Sequence, residues 1–313
     1  MGRFKNQILT YLKGIAMGGA DVVPGVSGGT VAFITGIYTE LLDSIKSCDL
    51  EALKLLSKFQ FKALWKKVNG AFLLPLFLGI LTSLLTLSKV IKHLLEAEPI
   101  SLWSFFFGLI IISSILVLRE IKQWKATTLM PMVIGIGVAY FITVTTPTQT
   151  TEALWFVFIS GCIAICAMIL PGISGAFILL ILGKYEFILN AVTERDFLVI
   201  GVFALGCIVG LLSFARGVSW LLRNYHDIAV ALLSGFMIGS LNKVWPWKIA
   251  LGFRINSEGK QVPTITENVL PGEYLRQTGE YPLLLQAILF MALGVFIVVL
   301  IEKISHYRAK PHQ

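Results

Sequence analysis

Blocks of about 20 consecutive apolar residues constrain the fold of this chain most, because that is the length of a helix that crosses a bilayer. Six such blocks are predicted to be transmembrane helices: 71–92, 100–118, 129–145, 197–221, 228–245 and 282–301. Two further apolar regions, 8–45 and 154–192, are too long for one span and are interrupted in the middle. We therefore predict an all-α integral membrane protein.

The composition excludes a soluble globular domain. Only 14% of the 313 residues are charged, whereas a soluble domain has about 25%. The formal net charge of +8 suits cytoplasmic loops and anionic phospholipid headgroups, so nucleic acid is not expected as a partner. The first apolar stretch has no good cleavage site for a signal peptidase, and we expect it to be retained. The cysteines lack metal-ligand spacing, and neither a metal nor a cofactor is expected.

The two interrupted regions are repeats of one another. Residues 24–45 and 171–192 align at a constant offset of 147, and each begins with Pro-Gly-x-Ser-Gly. A second offset, of 127, aligns the glycines, leucines and one basic residue of 78–113 with those of 205–240. Shared Pro, Gly and Ser residues are not expected from apolar bias alone, so the chain is predicted to contain an internal repeat.

The repeat divides the chain into the halves 1–150 and 151–313. The two offsets differ because the first half carries an insertion at 46–70, which contains six lysines. We interpret this insertion either as a basic amphipathic helix on the membrane surface or as a solvated connector.

The number of spans predicts how the halves are oriented. If each interrupted region is a re-entrant hairpin, each half has one hairpin and three spans, and three is an odd number. The second half must then be inverted relative to the first. Most basic residues fall on the side of the N-terminus, so both termini are predicted to be cytoplasmic, although the outer loop 246–281 also carries basic residues. Inverted repeats with broken helices are typical of secondary transporters.

The two Pro-Gly-x-Ser-Gly loops are predicted to bind an anion. Glycines permit close approach of a ligand, and a serine N-cap begins a helix whose free N–H groups attract phosphate or carboxylate. The residues concerned are Pro24, Gly25, Ser27, Gly28 and Gly29 in the first loop, and Pro171, Gly172, Ser174 and Gly175 in the second. Irregular backbone at membrane depth predicts a cavity between the loops. The alternative is that the glycines only allow kinked helices to pack closely.

Three charged residues complete the predicted site. Asp21 lies three residues before Pro24 in an apolar setting, where it would carry a coupling proton or pair with a lysine. Lys89 and Arg216 occupy matched positions near opposite ends of their spans. Each would either contact an anionic headgroup or extend to the membrane interface.

These residues carry a resemblance to a known family. The segments GGADVVPGVSGGTVAFITGIYTELLDSI and MILPGISGAFILLILGKYEFIL closely resemble the PopT-type polyprenyl-phosphate transporters, and the likeness covers essentially the whole chain. The resemblance implies that the protein returns undecaprenyl phosphate from the outer to the inner leaflet of the bacterial cytoplasmic membrane. In this hypothesis a proton on Asp21 or on the phosphate supplies the direction, and the protein is not an enzyme.

Two other functions remain open. Membrane undecaprenyl-pyrophosphate phosphatases also pair two re-entrant hairpins, with Glu-x-x-Pro-x-Ser-Ser in one and Pro-Gly-x-Ser-Arg-Ser-Gly in the other. Asp21 to Pro24 is similar to the first motif, but Gly175 stands where the second has arginine. Phosphoryl transfer requires neutralising charge, so the loops favour binding over cleavage. A small-anion transporter would instead need a water-filled path closed to lipid.

Overall fold

The chain folds as a set of packed helices, which a computed structural model describes for residues 2–23, 26–148, 150–255 and 261–309. The helices of the first half are α1 (Gly2–Asp21), α2 (Gly28–Ile34), α3 (Tyr38–Lys46), α4 (Leu50–Ser57), α5 (Phe61–Lys67), α6 (Gly70–Ala97), α7 (Pro99–Leu118) and α8 (Ala126–Val144). Those of the second half are α9 (Leu154–Ile169), α10 (Gly175–Ile181), α11 (Tyr185–Glu194), α12 (Phe197–Asn224), α13 (His226–Ser240), α14 (Pro271–Thr278) and α15 (Leu284–Ala309). Between α13 and α14 lie the strands β1 (Lys248–Ile255) and β2 (Gln261–Asn268).

The helices confirm a multi-pass membrane protein. Among the described residues, five helices are long and apolar enough to cross a bilayer: α6, α7, α8, α12 and α15. The pair α10 and α11 would make a sixth span, but it is bent by 102° at its break. The predicted span 228–245 is helical only over His226–Ser240, a length of about 22 Å. This helix is short because most of its side chains are buried against protein and need not match the thickness of the lipid.

The first helix packs against α6 through a pair of glycines. A Cβ atom on Gly14 would lie 2.2 Å from the carbonyl oxygen of Leu76, and one on Gly79 would lie 2.1 Å from that of Tyr11. Each glycine therefore faces the carbonyl of the residue three positions before the other glycine. This reciprocal contact requires that the two helices run parallel. Close approach of two backbones at small residues is a common way to join helices where lipid removes the hydrophobic driving force.

Three further helix pairs use the same arrangement. The glycines are Gly161 and Gly206 between α9 and α12, Gly108 and Gly294 between α7 and α15, and Gly135 and Gly235 between α8 and α13. Their positions follow the repeat found in the sequence, since Gly14 and Gly161 differ by 147, and Gly79 and Gly206 differ by 127. Equivalent helices of the two halves thus make equivalent pairs.

Polar contacts place several helix ends on one side of the molecule. Asn69, just before α6, donates to Glu40 of α3 over 3.0 Å. At the C-terminal end of α12, Arg223 forms an ion pair of 2.7 Å with Asp43 of α3, and Ser219 donates to the same carboxylate over 2.9 Å. The start of α6 and the end of α12 therefore both lie beside α3.

The loop 246–281, which the sequence analysis did not assign, has its own structure. Strands β1 and β2 pair antiparallel, with Lys248 opposite Asn268, and α14 follows them. Trp247 is buried with Val269 and Tyr274, and its indole N–H donates to the carbonyl of Pro282 over 2.8 Å. The hairpin adds a small β element to the predicted all-α fold.

The insertion at 46–70, for which we considered an amphipathic surface helix or a solvated connector, forms two short helices, α4 and α5. The chain turns between them at Phe59, which has a φ of 55°. Apolar side chains on both helices are exposed, among them Leu53, Leu56 and Trp65. Exposed apolar groups beside lysines are the pattern of helices that lie at a membrane surface.

Helix α8 offers a test of the glycine contacts, because the same glycine-to-alanine substitution can be made on its packed face and on its exposed face. A Cβ on Gly135 would lie 2.5 Å from the carbonyl oxygen of Leu232, whereas one on Gly137 meets no atom within 4 Å. We expect Gly135→Ala to lower stability by about 1–3 kcal/mol, the usual effect of overpacking. Gly137→Ala should leave the melting temperature unchanged or raise it, because alanine favours the helix. Thermal unfolding of the purified protein checks this, and equal melting temperatures for the two variants would contradict it.

Candidate functional site

The first break separates α1 from α2 and is held by Ser27. Its hydroxyl accepts a hydrogen bond of 3.0 Å from the backbone N–H of Gly29, and Ser27 is the N-cap of α2 as predicted. Val23, Val26 and Ser27 are completely buried. Pro24 and Gly25, which the sequence analysis assigned to the site, lie outside the described residues.

Asp21 reaches across the first break to the start of α2. Its Oδ1 accepts a hydrogen bond of 2.7 Å from the backbone N–H of Gly28. A Cβ on Gly28 would lie 2.6 Å from Oδ2 of the same carboxylate, so glycine allows this approach. Among the described residues no lysine or arginine pairs with Asp21. The protein's own carboxylate thus occupies a position where the sequence predicted an external anion.

The second break, between α9 and α10, has the same plan with weaker capping. The hydroxyl of Ser174 accepts from the backbone N–H of Phe177 over 3.5 Å. Gly172 has a φ of +90°, a conformation that side chains rarely adopt, and a Cβ there would lie 2.8 Å from the carbonyl oxygen of Phe236. Pro171, Gly172 and Gly175 are buried.

The two breaks contact each other directly. The hydroxyl of Ser27 donates to the carbonyl of Met168 over 2.9 Å, and the backbone N–H of Gly172 donates to the hydroxyl of Thr30 over 2.9 Å. A Cβ on Gly29 would lie 2.3 Å from the carbonyl oxygen of Ile169. At these points the described residues of the two loops pack directly against each other, because small side chains let the backbones meet.

Among the described residues, no hydrogen bond or ion pair joins Lys89 or Arg216 to either break. Both lie on exposed faces of their helices. Lys89 is ten residues beyond Gly79, and Arg216 is ten residues beyond Gly206. Since these glycines align α6 and α12 with α1 and α9, each cation lies at the depth of the neighbouring break, on the outer face of the helix that supports it.

A pocket with two lysines lies close to the second break, and the sequence analysis did not identify it. This two-lysine pocket has a volume of about 370 Å³ and is lined by Lys243 and Lys248 together with Phe177. The rest of its lining is Tyr140, Thr143, Val144, Thr145, Thr146, Pro147, Asn242, Leu251, Thr266, Glu267 and Asn268. Lys248 was counted only as a charge of the outer loop, since the sequence gives no sign that the hairpin lines a pocket together with residues of α8 and α10.

Both lysines are held in place without a carboxylate partner among the described residues. The ammonium of Lys243 lies 4.1 Å from the ring centroid of Phe177. That of Lys248 donates to the carbonyl of Lys243 and lies 3.7 Å from the ring centroid of Trp103. Burial lowers the pKa of Lys243 to about 8, and burial with the charge of Lys243 lowers the pKa of Lys248 well below its usual value. A bound anion would favour the charged form of both groups.

Comparisons with known proteins agree with the resemblance seen in the sequence. Residues 17–262 match the family described as undecaprenyl phosphate translocase-like. A polyprenyl-phosphate transporter of Vibrio cholerae is 48% identical over 302 residues, which are 96% of this chain and 98% of that protein. The chain belongs to this family. A polyprenyl-phosphate transporter of Staphylococcus aureus is 33% identical over 257 residues, which are 76% of this chain and 86% of that protein.

The names of the family and of these relatives describe transport and no enzymatic reaction. No solved structure matches the chain significantly. The family therefore supplies a function to test, whereas the arrangement of the breaks and of the two-lysine pocket comes from the structure described above.

The two serines should differ in their effect on stability. Ser27→Ala removes both the cap of α2 and the bond to Met168, and we expect a loss of about 1–2 kcal/mol, the upper range for an N-cap. Ser174→Ala removes only a long bond of 3.5 Å, and we expect at most about 0.5 kcal/mol. Denaturation of the two purified variants measures the difference. A larger loss for Ser174→Ala would show that the contact between the breaks contributes little.

Proposed function

We propose that this protein moves undecaprenyl phosphate from the outer to the inner leaflet of the bacterial cytoplasmic membrane, with the phosphate bound at the two breaks. The observation that carries the proposal is a hydrogen bond of 2.7 Å that the Asp21 carboxylate accepts from the backbone N–H of Gly28, at the start of α2. The first break thus already accommodates a carboxylate of the protein itself. Near full-length similarity to a protein named polyprenyl-phosphate transporter supports the substrate. The names of the relatives support transport over the phosphatase alternative.

Re-entrant hairpins are supported by the direction of the helices. Since α1 runs parallel to α6, it enters on the side of α3, and the ammonium of Lys13 in the middle of α1 donates to the carbonyl of Thr35 over 2.7 Å. The chain passes through the break and returns to α3 on that side. In the second half α9 runs parallel to α12, and α11 ends just before α12 begins. Each broken region thus enters and leaves on one side.

Inversion of the halves is supported by the contacts of α3. The start of α6 lies beside α3, through Asn69, and the end of α12 lies beside the same helix, through Arg223. Because α6 and α12 are equivalent in the repeat, the halves run in opposite directions. Such a molecule has two nearly equivalent arrangements, each open to one side, which is the geometry of alternating access. The basic residues of the insertion favour a cytoplasmic position for α3 and both termini.

The contact between the breaks explains how the phosphate would be admitted. Backbone N–H groups at this depth need partners, and in this arrangement they are Asp21, Ser27 and Thr30. A phosphate that entered would replace Asp21 at α2, so the carboxylate would move away or take up a proton. This exchange couples binding of the anion to protonation and gives Asp21 the role of proton carrier. Pro24, Gly25, Gly29, Gly175 and Pro171 would shape the loops around the phosphate.

Lys89 and Arg216 fit a substrate whose tail remains in lipid. They lie at the depth of the breaks but on exposed helix faces. A cation at such a position would attract the headgroup from the bilayer side and reduce the free energy needed to dehydrate it. A small hydrophilic anion would gain nothing from cations on this face, so their position favours a lipid over the small-anion alternative.

The exchange at Asp21 is tested by transport in liposomes. The purified protein is reconstituted with a polyprenyl phosphate, and movement between leaflets is measured with and without a proton gradient. Asn retains an acceptor for Gly28 but cannot take up the proton, so we expect Asp21→Asn to lose at least about tenfold in rate, or about 1.4 kcal/mol, and to lose its response to the gradient. Asp196→Asn is the matched control, since Asp196 caps α12 at an exposed position. Wild-type behaviour of Asp21→Asn would refute the exchange.

The breaks themselves are tested by proline. Ser27→Pro and Ser174→Pro remove the capping hydroxyls, and we expect both to abolish movement of the lipid, while Arg216→Ala reduces its rate. Release of inorganic phosphate from the pyrophosphate form of the lipid is measured in parallel. Release that depends on the breaks would make the protein an enzyme. Absence of both lipid movement and phosphate release by the wild-type protein would favour a small-anion transporter.

A further inference from the structure

The two-lysine pocket is well placed to receive an anion before it reaches the breaks. Its wall includes Phe177, whose backbone N–H is the one capped by Ser174 of the second break. The pocket is lined on one side by the end of α8 and on the other by the hairpin. Two ammonium groups share this space with one carboxylate, that of Glu267, which is exposed. The lysines repel each other, and a dianion between them would remove the repulsion.

The neutral wall of the pocket is fixed by hydrogen bonds. The amide of Asn242 donates to Thr143 over 2.8 Å, and that of Asn268 donates to the carbonyl and side-chain oxygens of Asn242 over 2.7 and 2.9 Å. These contacts join the end of α8, the turn after α13 and strand β2. The polar groups are therefore held in position before a ligand arrives, which reduces the entropy lost on binding.

The rim of the pocket suits a ligand with a hydrocarbon tail. Tyr140, Val144 and Leu251 line the pocket and are 51%, 49% and 61% exposed. Tyr140 and Val144 belong to α8, a helix apolar enough to span the membrane, so their exposed faces meet lipid at the end of the span. A headgroup in the pocket would leave its tail against this rim.

A second pocket shows what the repeat places at the equivalent position. This Glu302 pocket, of about 440 Å³, is lined by Phe33, Ile34, Gly36, Ser113, Leu116, Val117, Arg119, Glu120 and Glu302. The offset of 127 that relates Gly108 to Gly235 also relates Leu116 to Lys243. The glycine pairs align Gly135 with Gly294, and the same spacing aligns Thr143 with Glu302.

The two pockets thus lie at equivalent positions in the repeat and differ in their charged residues. Where the two-lysine pocket has Lys243 and Thr143, the Glu302 pocket has Leu116 and Glu302. One pocket holds two cations and one carboxylate, and the other holds one arginine and two carboxylates. A phosphate would find a second lysine only at the first pocket, since Leu116 stands where the first has Lys243. The stronger attraction at the first pocket gives a direction to movement between them.

We propose that the two-lysine pocket is the loading site for the phosphate group of a polyprenyl phosphate, and that the Glu302 pocket is the side of release. Lys243 and Lys248 bind the phosphate oxygens, Asn242 and Thr143 fix the wall, and the tail lies along Tyr140 and Val144. This inference rests on the proposed function for the identity of the lipid. The anion site itself does not depend on that function, because it follows from the two ammonium groups.

Binding to the full-length protein in nanodiscs tests the loading site. A fluorescent polyprenyl monophosphate is titrated into wild type, Lys243→Gln and Lys248→Gln. We expect each variant to bind about tenfold more weakly, because it loses a charge-assisted hydrogen bond. Arg276→Gln is the matched control, since it removes a positive charge from the exposed helix α14 of the same region. Unchanged affinity in both lysine variants, or an equal loss in Arg276→Gln, would overturn the site.

Two further sets of measurements identify the source of the phosphate and control for effects of the substitutions on folding. Inorganic phosphate competes weakly if the lipid headgroup is the ligand, and competition at equal affinity would overturn the lipid assignment. Polyprenol, which lacks phosphate, should not compete. Lys243→Arg retains the charge and should restore binding, and the melting temperature of each variant without lipid should match that of wild type. If a lysine variant regained wild-type affinity once its fold was stabilised, a direct contact between that lysine and the phosphate would be contradicted.

Transport distinguishes failure of this site from failure of the proposed function. Wild-type protein that moves the lipid in liposomes while Lys243→Gln does so at the same rate would refute the loading site and leave the function intact. Lysine-dependent binding by a wild-type protein that moves no lipid would retain the site and refute the transport function. Leu116→Lys, which adds a cation to the Glu302 pocket, should slow net movement toward that side.

Discussion

Polar backbone at the two buried breaks is the constraint on which the rest of this structure depends. Each half interrupts an apolar helix, and the freed N–H and carbonyl groups would have no water to bind in the proposed membrane arrangement. Each half solves part of this problem with groups of the other. Ser27 binds the carbonyl of Met168, and Thr30 accepts from Gly172. Contact between the breaks thus satisfies polar groups of both, and a motion that separates them must offer other partners to the same groups.

This requirement connects the packing to the proposed transport. A phosphate is an acceptor-rich anion, and it would supply the partners that the breaks lose when they separate. Asp21 shows that an anion is accommodated at α2, at a distance of 2.7 Å from the N–H of Gly28. The glycine pairs that align α1 with α6 and α9 with α12 keep the supporting helices rigid on either side. The substrate itself would then lower the free energy of the open arrangement, which links movement to binding.

In the proposed inverted repeat, pseudosymmetry alone would make both directions of movement equal. The halves depart from symmetry in a few charged residues near the pockets, and there a lysine on one side corresponds to a leucine on the other. Asp21 has no equivalent either, because Met168 stands at its position in the second half. Small changes of charge on a repeated scaffold would thus convert a symmetric path into a directed one.

The sequence alone contains the repeat, and it predicted the membrane class, the starts of five spans to within three residues and the cap at Ser27. These properties depend on local composition and spacing, which the chain carries in itself. It did not determine that the breaks meet directly, that 246–281 folds as a hairpin, or that Lys243 and Lys248 share a pocket. Those facts depend on contacts between residues far apart in the chain, such as Ser27 with Met168 and Asn268 with Asn242. Packing between the halves brings Ser27 to Met168, and packing within the second half brings Asn268 to Asn242. These contacts exist only in the tertiary structure, which therefore decided where the proposed anion site lies.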